Sequence, residues 1–370
     1  MGFALTDLSA ASQGKKCQGK CFILNKKIAI LSIFVFYFAI SAQAIDLNVN
    51  SSVNTTLLGP DNVALVVNDA DPSSVKVAEY YATARHIPLQ NIVHVSIKNA
   101  PNVLSSSEFK RLQLEIESQL NAAEQIILLA WTAPYAVECN SITSALTLGF
   151  DVSQCVNTCA AGKLNPYFDS KSKKPFDDMH IRLAMLLPNE SFLRTKSLID
   201  RGVQSDNGVF HSTAYYLKTS DPNRNSRSPL FPQAGLIIPR SGLAVETIRS
   251  DKLIGARDIM IYQTGMASVE GLETLGFMPG ALADHLTSFG GDLNGKGQMS
   301  ILRWLDAGAT ASYGTVSEPC NYWQKFPNPS VLLKWYASGS TAIEAYWKSV
   351  AWPSQGLLVG EPLAAPYKNQ

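Results

Sequence analysis

Charge is scarce in this 370-residue chain: Asp, Glu, Lys and Arg make up 16% of it, and 31 basic side chains nearly balance 30 acidic ones. That balance excludes a polybasic nucleic-acid-binding tail and a disordered polyelectrolyte. The chain also lacks a phosphate-loop lysine motif, a dinucleotide glycine fingerprint and a His-Glu-x-x-His pair. Nucleotide, NAD and zinc-protease chemistry are set aside on that ground, and no nucleotide, metal or other cofactor is expected. No internal repeat or low-complexity tract occurs. The length suits one large α/β domain with a sizeable core.

Long apolar runs are lacking too, with one exception near the start. Ile28 to Ile40 is almost uninterruptedly apolar, follows the pair Lys26-Lys27, and leads into Ser-Ala-Gln-Ala ending at Ala44. This charged, apolar, small-residue order is that of a secretory signal peptide over residues 1–44, and the run is shorter than the ~20 residues a membrane span needs. Cleavage near Ala44 removes Lys15, Lys16, Lys20, Lys26, Lys27 and Asp7, leaving 26 basic and 29 acidic residues, a net charge of −3. The expected product is a single domain over residues 45–370, exported to the periplasm or the extracellular space. An uncleaved N-terminal anchor is the alternative.

Cysteine is sparse and fits the same compartment. Cys17 and Cys21 leave with the signal, so Cys139, Cys155, Cys159 and Cys320 remain. Four cysteines in an exported chain imply up to two disulfides with three connectivities. Only three residues separate Cys155 from Cys159, so a local clip there, with Cys139 to Cys320 as the long closure, is one sterically easy solution. A metal site on Cys155 and Cys159 is disfavoured because no histidine lies beside them.

Along the remaining chain, apolar runs alternate with helical patterns. Strands are expected at Asn62 to Val67, Ile92 to Ile97, Gln125 to Trp131, Ile181 to Leu187, His211 to Leu217, Asp258 to Tyr262, Ala281 to Leu286 and Ala309 to Val316, with the apolar run Gly356 to Val359 near the end of the chain. Helices are expected at Ser73 to Ala84, Ser105 to Leu120, Ser191 to Arg201, Gln298 to Asp306 and Thr341 to Val350. Such alternation predicts a mostly parallel sheet with helices on both faces. Residues 138–180, rich in Asn, Ser, Gly, Pro and Cys, read as a disulfide-bearing insertion, and Lys218 to Ser228 as a polar loop.

Ligands of open α/β sheets bind beyond the carboxyl ends of the strands. The strand ends here carry Asn68-Asp69, Trp131 to Tyr135, Gly265-Met266, His285 to Gly291 and Ser312 to Asn321. Asp284, His285, Ser288 and Cys320 are the candidate catalytic residues, since they supply a carboxylate, an imidazole, a hydroxyl and a thiol. Asp69, Gly290, Gly291, Glu318 and Asn321 are candidate ligand-binding residues. Residues 285 and 288 would point to opposite faces of a continuous strand, which opposes a Ser288–His285 pair unless the chain turns after His285. His285 as a buried structural histidine, Gly290-Gly291 as a tight turn and Glu318 to Asn321 as a disulfide-anchored loop are the plain alternatives.

The segments Phe277 to Gly291, Arg303 to Asn321 and Gly360-Glu361-Pro362-Leu363 resemble a family of uncharacterised exported bacterial proteins. The order of elements is also distantly similar to the gingipain-like cysteine peptidases, which share the caspase-type three-layer sandwich. That resemblance rests on Tyr262 to Gly265, Leu286 to Gly291, Gly308 to Gly314 and Gly360-Glu361-Pro362. It implies that Met266 stands where the catalytic histidine would be and Ser288 where the cysteine would be, so the peptidase dyad is not retained. Three readings result. One is a catalytically inactive domain binding an extracytoplasmic peptide, polysaccharide or protein; the second is a hydrolase using Ser288 or Cys320 with His285; the third is a structural envelope-assembly protein.

Overall fold

The computed structural model describes residues 58–206, 208, 210–295 and 297–369. The signal segment 1–44, with Cys17 and Cys21, and the polar stretch 45–57 lie outside the described residues. Among the described residues no helix is long and apolar enough to cross a membrane.

Local signals account for the first units. Strand β1 (Val63–Asn68) is buried along its whole length. It leads to helix α1 (Pro72–Arg85), where the Asp71 side chain accepts the Ser73 N–H and Pro72 occupies the first turn, which needs no amide hydrogen. Strand β2 (Ile92–Val95) follows, then β3 (Val103–Leu104) and α2 (Ser106–Glu117), which starts at a reciprocal Ser105–Glu108 capping box. Strand β4 (Ile126–Leu129) is again buried throughout. Uninterrupted apolar strands of this kind belong to a parallel sheet covered on both faces.

The stretch 138–180, expected as a disulfide-bearing insertion, has regular elements of its own. The short strand β5 (Ala136–Val137) leads into it, and it contains the strand β6 (Asn140–Ser141) and the helices α3 (Ile142–Leu148), α4 (Val152–Val156) and α5 (Pro175–Met179). Strand β7 (Leu183–Leu186) and helix α6 (Phe192–Ser205) resume the alternation. The strands β8 (Thr213–Lys218), β9 (Ala244–Arg249), β10 (Ile259–Thr264) and β11 (Phe277–His285) come next, with few helices between them. Helix α7 (Leu302–Ala307), strand β12 (Ala311–Thr315), helices α8 (Pro329–Ala337) and α9 (Ala342–Ser349) and strand β13 (Gly356–Gly360) complete the chain.

Ten strands form one sheet in the order β2-β1-β4-β7-β13-β12-β11-β10-β8-β9, and β3-β5-β6 form a small second sheet. The pairings that do not involve β13 are all parallel, and β12 with β13 is antiparallel over five register pairs from Ala311↔Gly360 to Thr315↔Gly356. A single pair, Val359↔Leu186, registered as parallel, joins β13 to β7. That one bridge is too short to set the strand's direction; its two ends do so. Glu361, just past β13, bonds Arg85 at the end of α1 and donates its backbone N–H to the Thr310 carbonyl ahead of β12. Helix α1 has by then returned to the amino end of the sheet, so β13 alone runs against the other strands, and their carboxyl ends share one edge.

Side chains alternate across β11, and helices cover both faces there. His285 meets Trp304 of α7 on one face, while Tyr313 on β12 stacks on Tyr346 of α9 and feels the charge of Asp284 on the other. The fold is thus α/β with a large, mostly parallel sheet and helices on both faces.

The motif Gly360-Glu361 has a packing explanation. The fully buried Glu361 carboxylate takes a two-pronged pair from Arg85, Nε to Oε1 at 2.9 Å and Nη2 to Oε2 at 2.6 Å, plus the Tyr81 hydroxyl at 3.0 Å. A Cβ at Gly202 of α6 would come within 2.5 Å of the same carboxylate, so only glycine lets the helix approach. Truncating Glu361 strips Arg85 of two of its bonds and leaves the buried guanidinium with the Asp206 carboxylate at Nη1 as its ion-pair partner. Glu361→Ala is expected to lower the unfolding free energy by about 3 kcal/mol or more in denaturant titrations; an unchanged midpoint would show that the pair holds nothing together.

All four candidate cysteines are bonded, in a connectivity other than the local clip. Cys139 pairs with Cys155 and Cys159 with Cys320. The reason lies in the path of α4, which carries Cys155 beside Cys139 and Asn140: the Asn140 amide donates to the Asp151 carbonyl and Asp151 N–H returns a bond to Asn140. Partial reduction and alkylation followed by peptide mapping should recover Cys139 linked to Cys155 and Cys159 linked to Cys320. A Cys155–Cys159 link would refute this arrangement.

Candidate functional site

The site lies at the carboxyl edge of β10, β11 and β12. Three segments converge there: the loop after β8, the turn after β11 and the loop after β12. Together they enclose a cavity of about 240 Å³ lined by Asn223, Arg224, Leu286, Thr287, Ser288, Glu318, Pro319, Cys320 and Asn321. Of the sequence-derived candidates, Ser288, Glu318, Cys320 and Asn321 are therefore brought together.

The other candidates are elsewhere. Asp284 and His285 are buried beneath the cavity and do not line it. Asp284 receives Arg227 Nη1 at 2.6 Å and the Gln263 amide at 2.8 Å. Burial pushes its carboxyl up, against the opposing pull of the Arg227 charge. Gly290 and Gly291 are also buried; a Cβ on Gly291 would meet the Gly314 carbonyl oxygen at 2.6 Å, so its role is close chain crossing over β12. Asp69 is half exposed at the end of β1 and pairs with His94 Nδ1 at 2.9 Å. At ~4.8 Å per strand, the four steps from β1 to β12 separate it from the cavity by roughly 19 Å.

His285 has no free nitrogen. The indole N–H of Trp304 donates to Nδ1 at 2.9 Å, and Nε2 lies 3.1 Å from the Met299 carbonyl oxygen. An indole N–H only donates and a carbonyl only accepts, so the ring is the neutral tautomer with its proton on Nε2. Burial, abetted by the Arg227 and Arg224 charges, pushes its pKa down to about 3. The ring therefore cannot act as a general base for Ser288. Cys320 is likewise removed as a nucleophile, because its sulfur is bonded to Cys159. Both arms of the hydrolase alternative lose a partner they require.

The residue that sequence reasoning passed over is Arg224, together with the loop that carries it. Thr219 to Ser228 bends back across the end of β10, where the Arg224 carbonyl oxygen occupies the space a Cβ of Gly265 would need. Asn225 holds the turn by accepting from Thr219 N–H and donating to the Thr219 and Asp221 carbonyls. Arg227 then dives under the loop to Asp284, also donating to the Thr264 and Pro327 carbonyls. Arg224 turns outward: Nη1 pairs with Asp221 at 2.5 Å and Nε donates to the Thr287 hydroxyl at 3.0 Å. The run Asp221-Pro-Asn-Arg224-Asn was the signal available, a turn sequence holding an arginine.

The opposite wall is fixed by the insertion. Glu318 accepts the Cys320 N–H at 2.8 Å, and the Cys159 bond ties this loop down. Behind it, the buried Lys325 ammonium donates to Gln154 Oε1, the Thr158 carbonyl and Gln355 Oε1. Burial pushes that ammonium's pKa down to about 8. Among the described residues no cluster of three or more His, Cys, Asp or Glu is placed to hold a metal ion.

No protein family, no curated protein and no solved structure matches the chain in comparisons with known proteins.

The state of His285 has a pH signature. Its folded pKa of about 3 lies below the ordinary value of about 6.5, so between those pH values the unfolded chain binds a proton that the folded one refuses. The penalty is absent above pH 6.5 and grows as pH falls, by up to ~1.4 kcal/mol per pH unit. His285→Gln should therefore show a flatter loss of stability between pH 6.5 and 4.5 than the parent protein in denaturant titrations. Equal slopes would mean that His285 takes up a proton in the folded state.

Proposed function

We propose that this protein is a non-catalytic ligand-binding domain of an oxidising, extracytoplasmic compartment, and that the cavity between Arg224 and Glu318 is where it binds. The single observation behind the reading is the sorting of polar groups at the strand ends: Asp284 and His285 are spent on internal bonds, while Ser288, Arg224, Glu318 and Asn321 face a common cavity. A strand-end crevice of an α/β sheet is a habitual ligand position. The cavity is smaller than a drug-sized pocket of ~300–1,000 Å³, which suits a small polar ligand or the end of a chain, such as a peptide terminus or a sugar.

The relationship to gingipain-like domains of caspase type, and membership of a family of exported bacterial proteins, belong to the same proposal. The sequence motifs support them, and the reading is that of a domain that keeps the crevice without the dyad. Export is supported by the signal-like segment ahead of Ala44 and by two disulfides, which persist in oxidising compartments.

Two measurements test the reading. Fluorophosphonate and iodoacetamide probes should leave Ser288 and Cys320 of the oxidised protein unlabelled; labelling of Ser288 that disappears in Ser288→Ala would replace the reading with a hydrolase. Titration of isotope-labelled protein with small peptides and oligosaccharides should shift the amide signals of Thr287, Ser288 and Asn321. If no ligand shifts them, the cavity is not a binding site.

A further inference from the structure

The charges lining the cavity narrow the ligand class. Two carboxylates and one guanidinium sit at or beside its wall: Asp221 and Arg224 on the loop after β8, Glu318 on the loop after β12. Asp221 is committed to Arg224, and its carboxyl is held below the usual range by the bonds it accepts from Arg224 and the loop amides, which outweigh its burial. Glu318, by contrast, makes no ion pair among the described residues; one carboxylate oxygen accepts the Cys320 N–H and the other is uncommitted. Arg224 spends Nη1 on Asp221 and Nε on Thr287, its side chain is 25% exposed, and its Nη2 makes no hydrogen bond among the described residues.

This arrangement discriminates by charge. Arg224 is already paired with Asp221, and the Lys325 ammonium, which feels the Glu318 charge, spends its bonds behind the wall, so a plain anion such as phosphate or sulfate finds one guanidinium already shared with a carboxylate and a second carboxylate opposite. A ligand carrying both an ammonium and a carboxylate meets an uncommitted acceptor on one wall and free guanidinium donors on the other, with the amides of Asn223 and Asn321 and the Ser288 hydroxyl between. Charge-assisted bonds to both ends are the strongest available to a ligand of that size.

Resting on the binding role proposed above, we infer that the cavity takes a small zwitterion, an α-amino acid or short peptide with both termini free. Its ammonium lies against Glu318 and its carboxylate against Arg224. The fixed walls favour this, because Thr287 and Asp221 hold the guanidinium on one side and the Cys159–Cys320 bond holds Glu318 on the other, so little ordering remains to be done on binding.

The test uses the full oxidised chain and three probes: Ala-Ala, Ala-Ala-amide and N-acetyl-Ala-Ala. Calorimetry should find binding of Ala-Ala, and blocking either terminus should weaken it about tenfold or more, the scale of one charge-assisted bond. Glu318→Gln should erase the preference for a free ammonium and Arg224→Gln the preference for a free carboxylate. The blocked ligands keep the test independent of whether either variant folds. Equal binding of the blocked and free dipeptides overturns the zwitterion assignment, as does failure of Ala-Ala to bind. If a neutral sugar or a blocked peptide shifts Ser288 and Asn321 where Ala-Ala does not, the cavity remains a binding site and only the ligand class falls; if nothing shifts them, both fall.

Discussion

The ion pair between Arg227 and Asp284 is the constraint from which the site is built. Both side chains are at most 2% exposed, so each charge has been taken almost wholly out of water. Such a pair need not add stability over a well-packed apolar pair, because the desolvation cost can offset the attraction. What it adds here is position. Asp284 is fixed on the rigid β11, and Arg227 also donates to the Thr264 and Pro327 carbonyls. The loop after β8 is thereby drawn across the end of β10, with Arg224 facing outward, and without that anchor the cavity would have one wall.

The opposite wall is held by different physics. The loop after β12 carries the buried Lys325 ammonium and is tied through Cys320 to Cys159, in an insertion whose α3 packs under β7 and β13. Ser141 and Ser144 donate to the Gly356 carbonyl, and Lys325 joins α4 to Gln355. The insertion is thus fastened to the start of β13, the one strand that begins at the edge where the others end. A reversed strand in the middle of the sheet gives the site a covalent brace that a uniformly parallel sheet would place on the far side.

How much of this was legible in the sequence depended on the range of the interaction. Apolar runs such as Val63-Ala-Leu-Val-Val67 report their own burial, so most strands of the large sheet could be read. Strand β9, Ala-Val-Glu-Thr-Ile-Arg, escaped because an edge strand with a solvated face lacks that run. Helix α7 starts at Leu302 and not at Gln298, because Gln298 accepts from the Thr287 hydroxyl and Phe289 N–H and the Met299 carbonyl accepts the His285 Nε2–H bond. Helix α8 was hidden in an aromatic-rich stretch, although Asn328 caps it and Pro329 opens it. The direction of β13, the disulfide pairing and the Arg227–Asp284 contact all join residues distant in the chain, and spacing carries no information about them.

The same distinction separates the candidates that form the site from those that do not. Residues with the most reactive side chains, Asp284, His285 and Cys320, were the natural choices by residue type, yet each has its bonding capacity filled by the fold. An imidazole between an indole N–H and a carbonyl has no lone pair to offer, and a disulfide sulfur has no proton to lose. The proposed binding rests instead on groups whose capacity is incomplete among the described residues: the second oxygen of Glu318, the outward N–H groups of Arg224, and the hydroxyl and amides beside them. In a cleft of this kind, what a ligand can bond follows from which bonds the fold leaves unmade at walls tied by a disulfide and a buried ion pair.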